Sequence, residues 1–243
     1  MSEYIVRFSV RQRVEHAAVM TLFLVLAITG FPQKFYDAGW AAAFVDLIGG
    51  IGRLRWIHRA AGIVFAVLSV GHLAALVFET ATGRVAMSMI PTRKDFIDVI
   101  QQLRYYLRLS ETHARFDRFD YREKFEYWGL VFGGLIMVTT GFVLYFPIAL
   151  TRYLPGELIP VAKVAHSNEG LMAFLVVIIW HIYNAHFAPD IFPFNKTIFT
   201  GRISIEHLKK EHPLEYERLF PDAAGETEVR RQAAAKETGK PDV

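Results

Sequence analysis

The stretch HSNEGLMAFLVVIIWHIYNAHF, residues 166–187, is almost wholly apolar and yet carries three imidazoles, at His166, His181 and His186. About 20 apolar residues suffice for a helix to cross the hydrocarbon core of a bilayer. An ionisable side chain at that depth is costly, and turns towards the protein interior to serve as a ligand or a relay. Three other runs are similarly apolar, Val14 to Phe31, Trp56 to Phe78 and Phe125 to Phe146, and the fourth extends from Ala165 to Phe187. The sequence therefore predicts an all-α fold, an integral membrane four-helix bundle over residues 1–200, with a charged cytoplasmic tail over 201–243.

Composition agrees with that reading, since 53% of the residues are hydrophobic and 21% charged, which keeps most of the chain away from water. The first run begins late and lacks a small-residue cleavage site, so it is expected to stay in the mature protein. The chain has no cysteine, which excludes an iron–sulfur cluster, a covalently attached c-type haem and any disulfide within it. Redox chemistry here requires a non-covalent group.

The formal charge of +3 is mild, and the basic residues flank the apolar runs without forming one long face. They read as topology signals, and no nucleic-acid partner is expected. Arg7, Arg11 and Arg13 precede the first run, nine Lys and Arg lie between Arg84 and Lys124, and nine follow the fourth run. The two remaining connections hold only Lys34, Arg53 and Arg55, and Arg152 and Lys163. Both termini and the middle loop are thus expected in the cytoplasm.

Short amphipathic surface helices are expected around the bundle. Trp40 to Ile51 is apolar but too short to span, and suits a helix on the outer face. Across Thr92 to Leu109, Phe96, Ile97, Ile100, Leu103 and Leu107 recur at helical spacing among charges, which suits either the inner membrane surface or a partner subunit. After Pro189 and Pro193 the chain turns polar; Arg202 to Leu219 could form a charged helix opened by Ser204, and the tail from Ala223 reads as solvated. No internal repeat of convincing period is apparent.

Six of the nine histidines fall in or at the ends of the apolar runs: His16, His58, His72, His166, His181 and His186. With a rise of about 1.5 Å per residue, His58 and His72 lie roughly 21 Å apart along one helix and about 40° apart around it. His166 and His181 lie roughly 22 Å and about 60° apart on another. Each pair faces one side of its helix from two depths, which suits two cofactors stacked across the membrane. The orientation puts His58 and His166 near the outer surface, and they form an outer pair. His16, His72, His181 and His186 fall in the inner half. Haem iron bound by two imidazoles has no open position, which suits electron transfer. Gly62, Gly71, Gly129, Gly133, Gly134, Gly141 and Gly170 would let helices approach a flat macrocycle, or simply each other. His113, His207 and His212 lie among charges and read as surface residues.

The motifs RQRVEH leading into a span that ends ITG, IHRAAG opening the second span, and HSNEGLMAFLVVIIWHIYNAHF in the fourth resemble the b-type cytochrome subunits of membrane-bound formate dehydrogenases and nickel–iron hydrogenases. The resemblance covers about residues 7 to 200. It implies a bacterial inner-membrane, multi-pass subunit with two haem b groups, His16 with His181 on the inner haem iron and His58 with His166 on the outer. Two departures stand out: the spacing from His166 to His181 is 15 where that family suggests 14, and His72 and His186 are additional. These two admit three readings: ligands of a third haem, a pairing of His72 with His181, or groups beside the ligands or a quinone.

The resemblance further implies electron transfer between a partner redox subunit and the quinone pool. The quinone is expected near His181, Tyr183, Asn184 and His186, with Glu79 or His186 as its titrating neighbour, although a solvated helix-end carboxylate is the simpler reading of Glu79. Arg11, Arg13, Arg55 and Arg59 are expected to pair with haem propionates or to anchor the membrane edge. Glu15, Glu126 and Glu169 are expected to cap helices, pair with Arg or touch propionates. The substrate site must lie on a partner, either an iron–sulfur subunit or a multihaem c-type cytochrome. The competing class is a membrane transporter or anchor whose histidines line a proton or metal path; the absence of evident inverted repeats weighs against transport.

Overall fold

The computed structural model describes residues 3–84, 87–188, 191–192 and 194–221. Pro189, Pro193 and the tail from Ala223 lie outside the described residues. The chain forms two compact units. One draws on the chain before Phe8, on Ser88–Phe125 and on the chain from Arg202; the other on Phe8–Met87 and Glu126–Gly201.

The second unit is built on long helices. α1 (Val10–Lys34) is followed by α2 (Gly39–Ile48) and α3 (Ile51–Ala81). Beyond the loop that carries α4 (Arg93–Tyr106), α5 (Tyr121–Tyr145) leads into the short α6 (Pro147–Leu150) and then α7 (Leu158–Leu175). α7 continues through two π-helical segments, Val176–His181 and Tyr183–Phe187, and α8 (Thr197–Thr200) closes the unit. Four of these helices are long and apolar enough to cross a membrane: Val10–Lys34, Ile51–Ala81, Tyr121–Tyr145 and Leu158–Phe187, with mean hydropathies of 1.6 to 2.3. Three of the four apolar windows have no residue buried by the rest of the chain. Apolar surface left uncovered on this scale suits contact with lipid.

Polar residues extend the helices beyond the apolar runs. Ser9 opens α1 through a capping box, in which its backbone N–H donates to Gln12 Oε1 at 2.9 Å and the Gln12 N–H donates to Ser9 Oγ at 3.2 Å, satisfying two amides that the helix leaves open. Between α2 and α3 the chain reverses on Gly49 and Gly50, with φ of 94° and 98°, a region that side-chain-bearing residues avoid. α1 packs against α3 and α7, and α2 folds back on α1 and α3.

In the first unit β1 (Tyr4–Val6) pairs antiparallel with β2 (Arg202–Ser204), Ile5 opposite Ile203. α9 (Ile205–Glu211) and α10 (Pro213–Leu219) follow. The expected single helix from Arg202 to Leu219 is thus a strand and two short helices, because Pro213 offers no N–H to continue α9 and drives His212 out of helical geometry. Ser204 does open α9, accepting from the His207 N–H at 3.2 Å. In α4 it is the polar side that is buried: Asp95, Asp98 and Gln102 are covered, while Phe96, Ile97, Ile100 and Leu103 are exposed. Lys124 Nζ reaches both Asp95 oxygens at 2.8 and 2.9 Å, and the Ala114 N–H donates to Gln102 Oε1 at 3.2 Å. These bonds hold the helix by its charged face and leave its apolar stripe outward.

Candidate cofactor site

The described helices bring histidines together at two places, one at each end of the long-helix unit. At the Thr29 end of α1, the rings of His58 on α3 and His166 on α7 lie 6.2 Å apart, centre to centre. At the Glu15 end, His16 on α1 and His181 on α7 lie 6.3 Å apart. A metal–imidazole bond of about 2 Å, with a ring nitrogen about 1 Å from its ring centre, puts two opposed imidazoles on one metal roughly 6 Å apart. Both separations suit a shared iron.

The hydrogen bonds around these rings fix which nitrogen is available. Thr29 Oγ1 donates its proton to the Val25 carbonyl at 2.6 Å, so its oxygen is left to accept, and His58 Nδ1 lies 2.9 Å from it. Thr140 repeats the arrangement on α5, donating to the Ile136 carbonyl at 2.5 Å with His166 Nδ1 at 2.9 Å. In both cases Nδ1 carries the proton and Nε2 keeps its lone pair, the form in which neutral imidazole binds a metal. His181 reaches it through a carboxylate: its Nδ1 lies 2.6 Å from Glu126 Oε2. Gly30 and Gly141 let two of these rings sit where they do. A Cβ on Gly30 would stand 3.2 Å from His58 Cε1, and a Cβ on Gly141 3.2 Å from His166 Cε1. Sequence reasoning missed Thr29, Gly30 and Thr140, although each stands in the pattern TGF that closes the apolar part of α1 and of α5.

The remaining candidates divide. His72 faces neither His181 nor His186: its Nδ1 lies 2.9 Å from Glu15 Oε2 and its Nε2 3.2 Å from the Tyr127 hydroxyl. His186 stacks on Phe194 with ring centres 4.1 Å apart and 3° between planes. The two extra histidines thus have separate surroundings. On a straight α-helix His186 would point about 140° away from His181, but both lie in π-helical turns, whose i→i+5 bonding brings residues five apart towards one face.

Arg11 donates to Glu15 at 2.6 Å and also pairs with Glu79, so Glu79 is an ion-paired helix-end carboxylate. Arg59 lies over the Tyr145 ring, 5.1 Å from its centre. Asn184 donates to the Trp180 carbonyl at 2.9 Å, and Tyr183 is half-exposed. Glu169 fits against the bare backbone of Gly133, where a Cβ would approach its Oε1 to 2.5 Å. Three buried side-chain atoms are without hydrogen-bond partners among the described residues: Arg13 Nε, Glu126 Oε1 and His186 Nδ1. All three belong to residues near His16 or His181 in sequence or by direct contact. Of the three, the Arg13 guanidinium is the donor that a propionate could meet, whereas Glu126 Oε1 is itself a carboxylate acceptor. The described residues contain no cluster of three or more His, Cys, Asp or Glu able to hold a bare metal ion, and a haem needs only two protein donors.

Of the three histidines read as surface residues, His212 is buried, with Nε2 3.0 Å from an Arg7 guanidinium nitrogen and Nδ1 2.7 Å from the Asp117 carbonyl. Arg7 and Asp117, both remote in sequence, hold it there, which its charged sequence neighbours concealed. No model of a known protein family matches this chain, and no curated protein matches it either.

Proposed function

We propose that this chain is the membrane electron-transfer subunit of a larger redox complex, with haem b held by His58 and His166 near one membrane face and by His16 and His181 near the other. The observation that carries the reading is the pair of ring separations, 6.2 and 6.3 Å, at opposite ends of one bundle. Haem held by two imidazoles supplies reversible one-electron chemistry without an open coordination position.

The chain's own residues supply the orientation. Thr29, Thr140 and Glu126 hold three of the four imidazoles by Nδ1, which leaves Nε2 as the ligating nitrogen of each ring. Arg13 is placed to meet a carboxylate at the His16 end, where its Nε is otherwise unmatched. With no cysteine in the chain, electrons must arrive from or leave to a partner subunit, an iron–sulfur protein or a multihaem c-type cytochrome. Quinone is the exchange partner on the other side, docking beside His181, where Tyr183, Asn184 and His186 are at hand. By the positive-inside rule the Glu15 end and both termini would face the cytoplasm, across a bacterial inner membrane. The outward apolar stripe of α4 suits a lipid surface.

The test is a reduced-minus-oxidised visible spectrum of the purified, detergent-solubilised protein, with a haem count per chain. Two haems with b-type bands, each reduced to one by His58→Ala or His181→Ala, are expected. A colourless but fully assembled preparation would reject the reading in favour of a histidine-lined transporter or an anchor.

A further inference from the structure

The contacts on the two sides of the long-helix unit repeat one another. Thr29, Gly30 and Phe31 on α1 recur 111 positions later as Thr140, Gly141 and Phe142 on α5, and Glu15 recurs as Glu126. The same shift carries Arg7-Phe8 onto Arg118-Phe119 and Arg11 onto Arg122. It also carries the capping pair Ser9 and Gln12 onto Asp120 and Glu123, whose backbone and side chains exchange two bonds of 2.9 Å. On the second helix of each half, His58 and Gly62 recur 108 positions later as His166 and Gly170. The structure repeats with the sequence: a Cβ on Gly62 would meet Leu26, and a Cβ on Gly170 would meet Met137, and Leu26 and Met137 are themselves 111 apart. Across the π-helical turns the shift becomes 109, which carries His72 onto His181.

This register predicts a contact for each copy, and both are present. Glu126 accepts from Nδ1 of His181 at 2.6 Å, and Glu15 accepts from Nδ1 of His72 at 2.9 Å. His181 faces His16, and the position that copies His16 is Tyr127, which His72 faces with ring centres 6.1 Å apart. With Nδ1 of His72 donating to Glu15, its Nε2 presents a lone pair in the ligating form. The Tyr127 hydroxyl stands 3.2 Å from that nitrogen, at hydrogen-bond distance, and donates to it. Iron bonded to both atoms would hold them about 4 Å apart, at about 2 Å per bond.

We infer that α1–α3 and α5–α7 are two copies of one helical hairpin, and that His72 with Tyr127 is the second copy of the His16–His181 haem site, closed to iron by the tyrosine hydroxyl. The inference rests on the haem reading above and explains why that reading gives two haems and not three. The outer pair joins equivalent residues, one from each hairpin, and is made once. The inner pair joins non-equivalent residues and exists twice. One residue, at position 127, sets whether the second copy takes haem. The arm through α1 and α7 carries the inner haem, and the arm through α3 and α5 carries a hydrogen-bonded His–Tyr pair anchored by Glu15, Arg11 and Glu79.

Tyr127→His shortens the side chain and offers a second imidazole, and should raise the haem-to-chain ratio from two to three, with a third low-spin signal in the electron paramagnetic resonance spectrum. His72→Ala, made in the otherwise unchanged protein, should leave the ratio at two. A folded Tyr127→His protein that still binds two haems would overturn the inference, as would a three-haem wild type that loses one with His72→Ala. Loss of all b-type absorbance from the unchanged protein would instead strike the haem reading itself.

Discussion

The Arg7 guanidinium donates to the backbone carbonyl of Arg118 at 2.5 Å, and the Arg118 guanidinium returns the bond to the carbonyl of Arg7 at 2.6 Å. Both arginines also reach one buried carboxylate, Glu215, at 2.6 and 2.9 Å on its separate oxygens. Glu215 therefore stands where two equivalent positions of the repeat meet. Removing one partner of a buried ion pair strands the others, at a cost of about 3–5 kcal/mol. Glu215→Ala should lower the thermal unfolding midpoint of the detergent-solubilised protein and speed proteolysis within 111–120. A variant as resistant as the parent protein would show that the arginines are satisfied without this carboxylate.

The four long apolar helices and the histidines they carry were legible in the sequence because imidazole in a long apolar run has few explanations. The pairs were legible from depth and resemblance. The repeat was not, and the reason is physical. Its first helices share Arg7, Phe8, Arg11, Glu15, Thr29, Gly30 and Phe31 with 118–142, but the second helices are offset by three fewer positions, and a π-helical insertion shifts the register again before His181. A search for one constant period blurs all three. The polar contacts that reveal the copies, such as His72 with Glu15, join helices far apart in sequence. Likewise the buried side of α4 could not be assigned from its amphipathic pattern, since Lys124 and Ala114, which hold that side, come from beyond it.

His212 provides a pH-dependent element in the first unit. Burial, and secondarily the neighbouring Arg7 charge, push its imidazole down to about 4 from the usual value near 6.5. The folded protein thus holds His212 neutral, and the unfolded chain takes up the proton first as pH falls. The stabilisation is complete above about pH 6.5 and is lost progressively as pH falls to about 4, amounting to about 3 kcal/mol over that range. His212→Asn keeps an N–H for the Asp117 carbonyl and removes the titration. Its unfolding midpoint should fall less steeply between pH 7 and pH 4 than that of the parent. Parallel pH profiles would show that His212 does not carry this dependence.

The outer histidine pair depends on two missing side chains. A Cβ at position 141 would already sit 3.2 Å from His166 Cε1 and 3.7 Å from its Nδ1, so the branched side chain in Gly141→Val must displace the ring from its bond to Thr140. Gly30→Val should do the same to His58 through Thr29. Either change should reduce bound haem from two to one per chain and remove one wave from a redox titration, while the His16–His181 site keeps its haem. Gly129→Val makes the control, because a Cβ there meets nothing within 4 Å, although it shares α5 with Gly141. If Gly129→Val keeps both haems and Gly141→Val keeps both as well, the outer imidazoles tolerate being moved, and the close approach of backbone to ring is packing without consequence for the cofactor. If Gly141→Val and Gly30→Val each lose the same haem, the two glycines act on one shared iron from opposite hairpins, which is what a pair built from equivalent residues requires.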